Sequence, residues 1–291
     1  MNVDLDRARD FILRNARVLD RRRFAFRFDG GASQDVVTAL RAYQNADGGF
    51  GHALEPDLRC SASQPVPVEQ ALLILDEVAE FEPSIVQPCC DWLANVATDV
   101  GGVPFALSTL AEGPHAQWWK ASGNASLNPT AGILGLLYKH RLTHAWIPRA
   151  EAYCWNALES DVLNQVGPDD AISILTFLQY APERERADAA FEVLGKRICA
   201  ELVAFESDAP GYVKMPLEFA PAPDRMARRL FGADTMSTHL DALEKRQLDD
   251  GGWPITWSPP SSAATSEWRA IMTIKWLDTL NAYGRLRTKA P

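Results

Sequence analysis

The sequence lacks any hydrophobic run long enough to cross a membrane. Its longest apolar runs, such as Ala71–Leu75, fall far short of the roughly 18 to 20 residues that a spanning helix needs. The first residues, MNVDLDRARDF, also lack the basic and apolar regions of a secretory signal peptide. We therefore expect a soluble protein without an integral membrane segment.

An excess of positive charge is also missing. Lys and Arg number 29 against 38 Asp and Glu, which gives a net charge of −9. Such a chain has no general basic field to hold a phosphate backbone, so nucleic acid is not an expected partner. The five cysteines are odd in number and lie mostly in apolar helical patterns, as reduced core thiols do. These features predict a cytoplasmic location.

Signatures of common cofactor and catalytic sites are absent as well. The chain has no phosphate loop, no G-x-G-x-x-G, no HExxH and no G-x-S-x-G, so no cofactor is expected. His52, Asp57 and Cys60 do not follow a known zinc framework, and no metal site is expected. With 291 residues, 47% of them apolar, the chain is predicted to form a single domain over 1–284, followed by a short tail at 285–291.

One heptapeptide pattern occurs twice. Residues 44–50 read QNADGGF and residues 247–253 read QLDDGGW, so both follow the pattern Gln-x-x-Asp-Gly-Gly-aromatic. A weaker copy, DVGGVPF, occupies residues 99–105. The glycine pairs are expected to provide positive φ at the end of a helix, and the aspartates are expected to accept backbone N–H bonds in the turn.

Helical periodicity divides the chain into two kinds of helix. One kind is amphipathic and is predicted to be half-exposed, and the other is apolar on most faces and is predicted to be buried. The half-exposed helices are predicted near 33–45, 84–98, 145–160, 184–205 and 235–248, and the buried ones near 68–81, 129–141, 168–181, 222–232 and 266–283. This alternation predicts an all-α fold, an α/α toroid of about five to six helical hairpins with inner and outer helix rings.

Two segments near the start of the chain complete this interpretation. The apolar spacing near 4–20 predicts a helix that joins the inner ring. The only competing strand signal is the short alternation at Phe24–Phe28.

The two heptapeptides resemble the QW, or prenyltransferase, repeats of squalene-hopene cyclases, oxidosqualene cyclases and the β-subunits of protein prenyltransferases. The resemblance is at superfamily level and extends over roughly residues 33–283 as a periodic scaffold. It implies an α/α toroid with a central cavity and a small apolar ligand of the isoprenoid class. The chain lacks the Asp-x-Asp-Asp tetrad of the cyclases, although Asp169 and Asp170 resemble the last two acids of that tetrad. It also lacks the Asp-x-Cys pair of the zinc-dependent prenyltransferases.

The alternation of helices brings the long loops to one end of such a toroid, and we expect the binding face there. A dense polar cluster falls in the first of these loops and comprises His52, Glu55, Asp57, Arg59 and Cys60. Arg59 would clamp a carboxylate or phosphate while Glu55 or Asp57 acts as acid or base. The alternative is that ion pairs simply hold the loop in place.

Two acids and three tryptophans are further candidates. Asp169 and Asp170 lie in the first turn of a predicted inner helix, where mutual repulsion would keep a proton on one of them for acid catalysis. The alternative role is stabilisation of the helix dipole. Trp118, Trp119 and Trp257 are expected at the rim of the pocket, where aromatic faces stabilise cations or stack on sugars.

These features predict a small protein, related to terpene cyclases, that binds an isoprenoid in its axial cavity and cyclises or isomerises it by protonation. A carbohydrate-active or carbohydrate-binding toroid is the first alternative, and a non-catalytic scaffold module is the second. The sequence leaves open which substrate is bound, whether the protein is catalytic, and its oligomeric state.

Overall fold

Helix is the only regular secondary structure in residues 3–286, the part of the chain that the computed structural model describes. The remaining backbone in this range pairs only in isolated bridges, for example between Gln44 and Phe50. This confirms the predicted all-α class. Within the same range, no helix combines the length and the apolarity that a membrane crossing requires. Most of the predicted tail at 285–291 lies outside the described residues.

The chain divides into two compact units. The first comprises residues 1–39 and 202–291, and the second comprises residues 40–201. The described helices of the first unit are α1 (Leu5–Asn15), α2 (Val18–Phe28), α3 (Ser33–Leu40, which ends at the boundary), α10 (Pro216–Phe219), α11 (Ala233–Lys245) and α12 (Ser262–Ala282). Those of the second unit are α4 (Pro65–Glu77), α5 (Pro83–Val96), α6 (Leu127–Lys139), α7 (Ile147–Leu158), α8 (Pro168–Tyr180) and α9 (Arg184–Arg197).

Within the second unit, the three most apolar helices pack side by side. The central one, α6, contacts both α4 and α8, and almost all of its residues up to Leu137 are buried. The amphipathic helices α5, α7 and α9 pack on α4, α6 and α8, respectively. Proline occupies the first position of α4, α5 and α8, where its missing N–H has no helical partner to lose. The helices predicted near 68–81, 129–141 and 168–181 are therefore confirmed as buried helices.

In the first unit, α12 is the central helix and contacts α1, α2 and α11. Its N-terminus is capped by Ser261, whose side chain accepts a hydrogen bond from the backbone N–H of Ala264. The buried side of α12 extends from Ala264 to Leu280. The helix predicted near 266–283 is therefore present and begins four residues earlier than expected.

The prediction of one helix near 4–20 is wrong, because Ala16 and Arg17 have extended backbone and separate α1 from α2. The break is held by buried Asp20, whose carboxylate binds Arg17 at 2.7 Å and Arg23 at 3.1 Å. The alternating Phe24–Phe28 segment is the end of α2 and not a strand.

The buried helix predicted near 222–232 is also wrong. This region contains the short α10 and a 3₁₀ helix at Met226–Leu230. Pro221 and Pro223 precede the 3₁₀ helix. Because proline has no backbone N–H and clashes with the preceding helical turn, this pair prevents a continuous α-helix.

The heptapeptide and its weaker copy form three turns with the same backbone geometry. The first glycine of each pair, at positions 48, 101 and 251, has φ of 91°, 97° and 91°. In each turn, the N–H three residues before that glycine bonds the carbonyl of the second glycine at 2.9 Å. The expected positive φ is thus present in the first glycine of each pair, and φ is not positive in the second, Gly49 or Gly252.

Each turn also packs on one amphipathic helix. A Cβ on the first glycine would strike a backbone carbonyl of α5 in the first turn, of α7 in the second and of α1 in the third. The second glycine lies against an aromatic ring one helical turn further along the same helix, namely Trp92, Tyr153 and Phe11. Helix α1 therefore packs on its glycine turn in the same way as the amphipathic helices α5 and α7 pack on theirs.

The motif aspartates stabilise the first and third turns. Asp47 accepts hydrogen bonds from the N–H of Gly49 at 2.9 Å and from the hydroxyl of Ser63 at 2.7 Å. Asp250 accepts the N–H of Gly252 at 3.1 Å and binds both terminal nitrogens of Arg269 at 2.8 Å. These contacts confirm that the aspartates accept backbone N–H bonds.

We expect Asp250→Ala to lower the free energy of unfolding by about 1 to 2 kcal/mol, because it removes a turn hydrogen bond and a half-exposed bidentate ion pair. The neighbouring exposed acid provides the control, and Asp249→Ala should change stability by less than about 0.5 kcal/mol. Hydrogen bonds from Arg269 hold the pKa of Asp250 below its ordinary value. The advantage of wild type over Asp250→Ala should therefore be present above the ordinary pKa and disappear as the pH falls through the folded-state pKa. Urea denaturation across this pH range measures both effects.

Candidate functional site

The Glu69 carboxyl occupies the place where α4, α6 and α8 meet. Glu69 belongs to α4, and its Oε1 accepts a hydrogen bond from the Ser173 hydroxyl of α8 at 3.3 Å. The same oxygen lies against Gly132 of α6, where a Cβ would collide with it. Glycine at this position therefore leaves the room that the carboxyl occupies.

This carboxyl is a weak acid that retains its proton at neutral pH. Burial raises the pKa of Glu69 to about 8, the hydrogen bond from Ser173 opposes the rise, and the charge of Asp169 adds to it. The residue as a whole is nevertheless half-buried and not fully enclosed. An acid with these properties is suited to proton transfer.

The two consecutive acids of α8 have different surroundings. The charge of Asp169 acts on Glu69. Asp170 instead accepts the backbone N–H of Gly167 at 2.8 Å and so caps the helix. Burial raises the pKa of Asp170, the bond from Gly167 opposes the rise, and the charge of Asp169 adds to it. This hydrogen bond gives Asp170 a structural role at the start of α8, whereas the structural alternative expected for the pair was stabilisation of the helix dipole.

One of the acids in the first long loop contacts α4, the helix that carries Glu69. Glu55 and Asp57 are only 3% and 2% exposed. The amide of Gln70 donates to Glu55 Oε2, and the backbone N–H of Asp57 donates to Glu55 Oε1 at 3.4 Å. Gln70, which directly follows Glu69 in α4, therefore ties the Glu55 carboxylate of the loop to this helix.

His52 and Arg59 contact their own loop region. His52 is exposed, and its Nε2 lies 2.8 Å from the side-chain oxygen of Asn45. Arg59 is half-buried and donates from Nη1 to the carbonyl of Pro56 at 3.3 Å. These contacts fix the conformation of the loop and do not place either side chain beside Glu69.

The predicted tryptophans lie in three different environments. Trp119 is a core residue: it stacks on Phe105 at 4.8 Å between ring centroids and belongs to a buried apolar cluster, so its expected place at a pocket rim is wrong. Trp118 is 45% exposed. Trp257 belongs to the first unit, where it packs edge-on against Tyr212 and Trp268.

Sequence analysis did not select Glu69, Gly132 or Ser173 as site residues. The available signal was a polar or very small residue inside each of three otherwise apolar helices. Such positions are informative because a buried polar group requires a partner. The spacing in the sequence does not reveal that the three positions face one another.

No protein-family model matches the chain, and no curated protein matches its sequence. In the part of the chain that the structure describes, no three His, Cys, Asp or Glu side chains converge in a way that would hold a metal ion. The functional assignment therefore depends on the geometry around Glu69 together with the resemblance of the heptapeptides.

Proposed function

We propose that the protein is an α/α toroid that binds an apolar ligand of the isoprenoid class and exchanges a proton with it through Glu69. The observation that carries this proposal is the Glu69 carboxyl, held between three helices with its pKa raised to about 8. The toroid is supported by the three equivalent glycine turns and by the side-by-side packing of α4, α6 and α8. The isoprenoid class is supported by the resemblance of the heptapeptides to cyclase repeats.

A carboxyl group of this kind serves proton transfer in both directions. It carries its proton at pH 7, and its conjugate base is strong enough to take a proton back. Glu69 would donate its proton to one carbon of a double bond, so that the O–H bond breaks and a C–H bond forms. The resulting carboxylate would then remove a proton from a neighbouring carbon. The net reaction is isomerisation, or cyclisation when a second double bond of the ligand attacks the cation first.

The two neighbours of Glu69 would assist at different stages. The Ser173 hydroxyl donates to Glu69 Oε1 and would stabilise the carboxylate that remains after proton donation. The negative charge of Asp169 opposes ionisation of Glu69 in the resting protein. The same charge would stabilise a positively charged ligand intermediate. Asp169 is thus an electrostatic partner in this mechanism, and Glu69 takes the role of proton donor that the sequence suggested for Asp169.

The first experiment is extraction of the purified protein with organic solvent and mass spectrometry of the extract, followed by assays with squalene and geranylgeraniol as probes. With a probe that is turned over, Glu69→Gln should lower turnover by about 100-fold or more while binding stays within a few fold. Gly132→Ala should also lower turnover, because the new Cβ displaces the Glu69 carboxyl.

Asp169→Asn provides the matched comparison, since it removes the neighbouring charge and leaves the Glu69 carboxyl group in place. It should retain more turnover than Glu69→Gln. The reverse order would contradict the assignment of the proton donor.

Absence of any bound lipid, together with no binding of either probe, would favour the scaffold alternative. Trp119 lies in the core, so the carbohydrate alternative loses one of its aromatic candidates.

A further inference from the structure

A cleft of about 490 Å³ opens in the second unit, and neither Gly132 nor Ser173 is among the described residues that line it. It lies between α7 and the first turn of α8, and the second glycine turn forms part of its rim. Its walls are mostly apolar and include Val100, Leu127 and Val166. Asp170 is the only charged side chain among the described residues that line it.

The cleft coincides with the one turn of the three that lacks the motif aspartate. In the first turn Asp47 binds Ser63, and in the third turn Asp250 binds Arg269, so a side chain from the following segment is drawn onto the turn. The second turn has Val100 at the equivalent position, and this side chain is 62% exposed although it is apolar. Val100 therefore adds an exposed apolar side chain to the lining of the cleft.

The polar groups of the cleft select the chemistry of that ligand. Asp170 Oδ2 is engaged by the N–H of Gly167, which leaves Oδ1 for a donor that enters the cleft. Tyr153 lies beside it and remains a neutral phenol, because burial and the nearby charges of Cys154 and Asp170 raise its pKa to about 12. No basic residue is among the described lining residues, so the single carboxylate is best matched by a positive charge on the ligand.

We propose that this cleft is a second ligand site, which binds a small organic amine. The ammonium group donates to the Asp170 carboxylate, and the apolar body of the amine packs against Val100, Leu127 and Val166. Glu69 is not among the described residues that line this cleft, so the amine would bind without contacting the proposed proton donor. A single charged contact within apolar walls favours an amine with one cationic group.

Isothermal titration calorimetry with two probes of the same shape tests the proposal. The first probe is 2-phenylethylamine, which is cationic at pH 7, and the second is 2-phenylethanol, which is neutral. The amine should bind at least about tenfold more tightly, because only the amine makes a charge-assisted hydrogen bond. Equal affinity of the two probes, tighter binding of the alcohol, or no binding of the amine at millimolar concentration would overturn the proposal.

Three variants locate the binding site. Asp170→Asn keeps an oxygen for the N–H of Gly167 and should reduce the affinity for the amine to that for the alcohol. Ala157→Trp places a large ring in the cleft from α7 and should abolish binding of both probes. Glu192→Gln removes one exposed negative charge on α9 and should leave binding unchanged.

Two different cleft variants are used so that a folding defect in one of them does not decide whether the cleft is the binding site. Circular dichroism of each variant checks that its helices are intact. Unchanged amine affinity in Asp170→Asn or in Ala157→Trp would overturn the site. A loss in Glu192→Gln equal to that in Asp170→Asn would show that the amine binds through net charge alone, and this would also overturn it.

Discussion

Gly48→Ala is expected to lower the free energy of unfolding by about 3 to 5 kcal/mol. Two effects combine at this position. Gly48 has a φ of 91°, which is unfavourable for any residue with a Cβ. The added methyl group would also strike the backbone carbonyl of Pro88 in α5, and backbone of a packed helix moves less readily than a side chain.

Gly30→Ala separates these two effects. Gly30 also has positive φ, at 69°, but a Cβ there would meet no atom within 4 Å. This control should therefore show the conformational cost alone, about 1 to 2 kcal/mol. Urea denaturation of both variants provides the measurement. Equal losses in the two variants would contradict the close packing of the turn on α5.

Wild type is expected to lose stability relative to Glu69→Gln as the pH rises from 5 to 9. The folded-state pKa of Glu69 is about 8, above its ordinary value of 4.5, so the folded protein holds this proton more tightly than the unfolded chain. The stabilisation is complete below the ordinary pKa and is lost as the pH rises through the folded-state pKa. Because the side chain is half-buried, we expect the free energy of unfolding of wild type to fall by about 2 to 4 kcal/mol relative to Glu69→Gln. This is less than the full pKa shift corresponds to.

Chemical denaturation of both proteins at several pH values measures this difference. Other groups with shifted pKa, such as Asp170 and His239, are present in both proteins, so their effect cancels in the comparison. Glu192→Gln, which removes an exposed acid, should follow the wild-type pH dependence. Parallel curves for wild type and Glu69→Gln would mean that Glu69 has an ordinary pKa, and would remove the principal support for its role as proton donor.

Local signals in the sequence were sufficient for most helices and for the turns. The apolar periods located α4, α6, α8 and α12, and the Asp-Gly-Gly pattern located turns with positive φ. Helix prediction from the apolar period failed where a distant contact or a local pair of prolines interrupted the helix. The paired prolines at Pro221 and Pro223 interrupt a segment that otherwise favours a helix, and the contacts of buried Asp20 stabilise the break after α1.

The candidate site was predicted less completely than the fold. The acids of α8 were candidate site residues in the sequence, but their division into a capping Asp170 and an Asp169 whose charge acts on Glu69 was not visible there. Trp119 was expected at a surface because its loop is long and polar. The loop instead folds around its own apolar cluster, and Trp119 lies within that cluster.

The sequence by itself determined the helical class, the alternation of buried and half-exposed helices, and the conformation of the repeated glycine turns. Each of these depends on residues within a few positions of one another, through helical period, capping and the steric freedom of glycine. Only the tertiary structure decided that Glu69 is the central acid. Its pKa is set by burial against Gly132 and by Ser173 and Asp169, residues from two other helices that lie 63 to 104 positions further along the chain. Desolvation of a carboxyl depends on what surrounds it in space, and no local pattern in the chain specifies those neighbours.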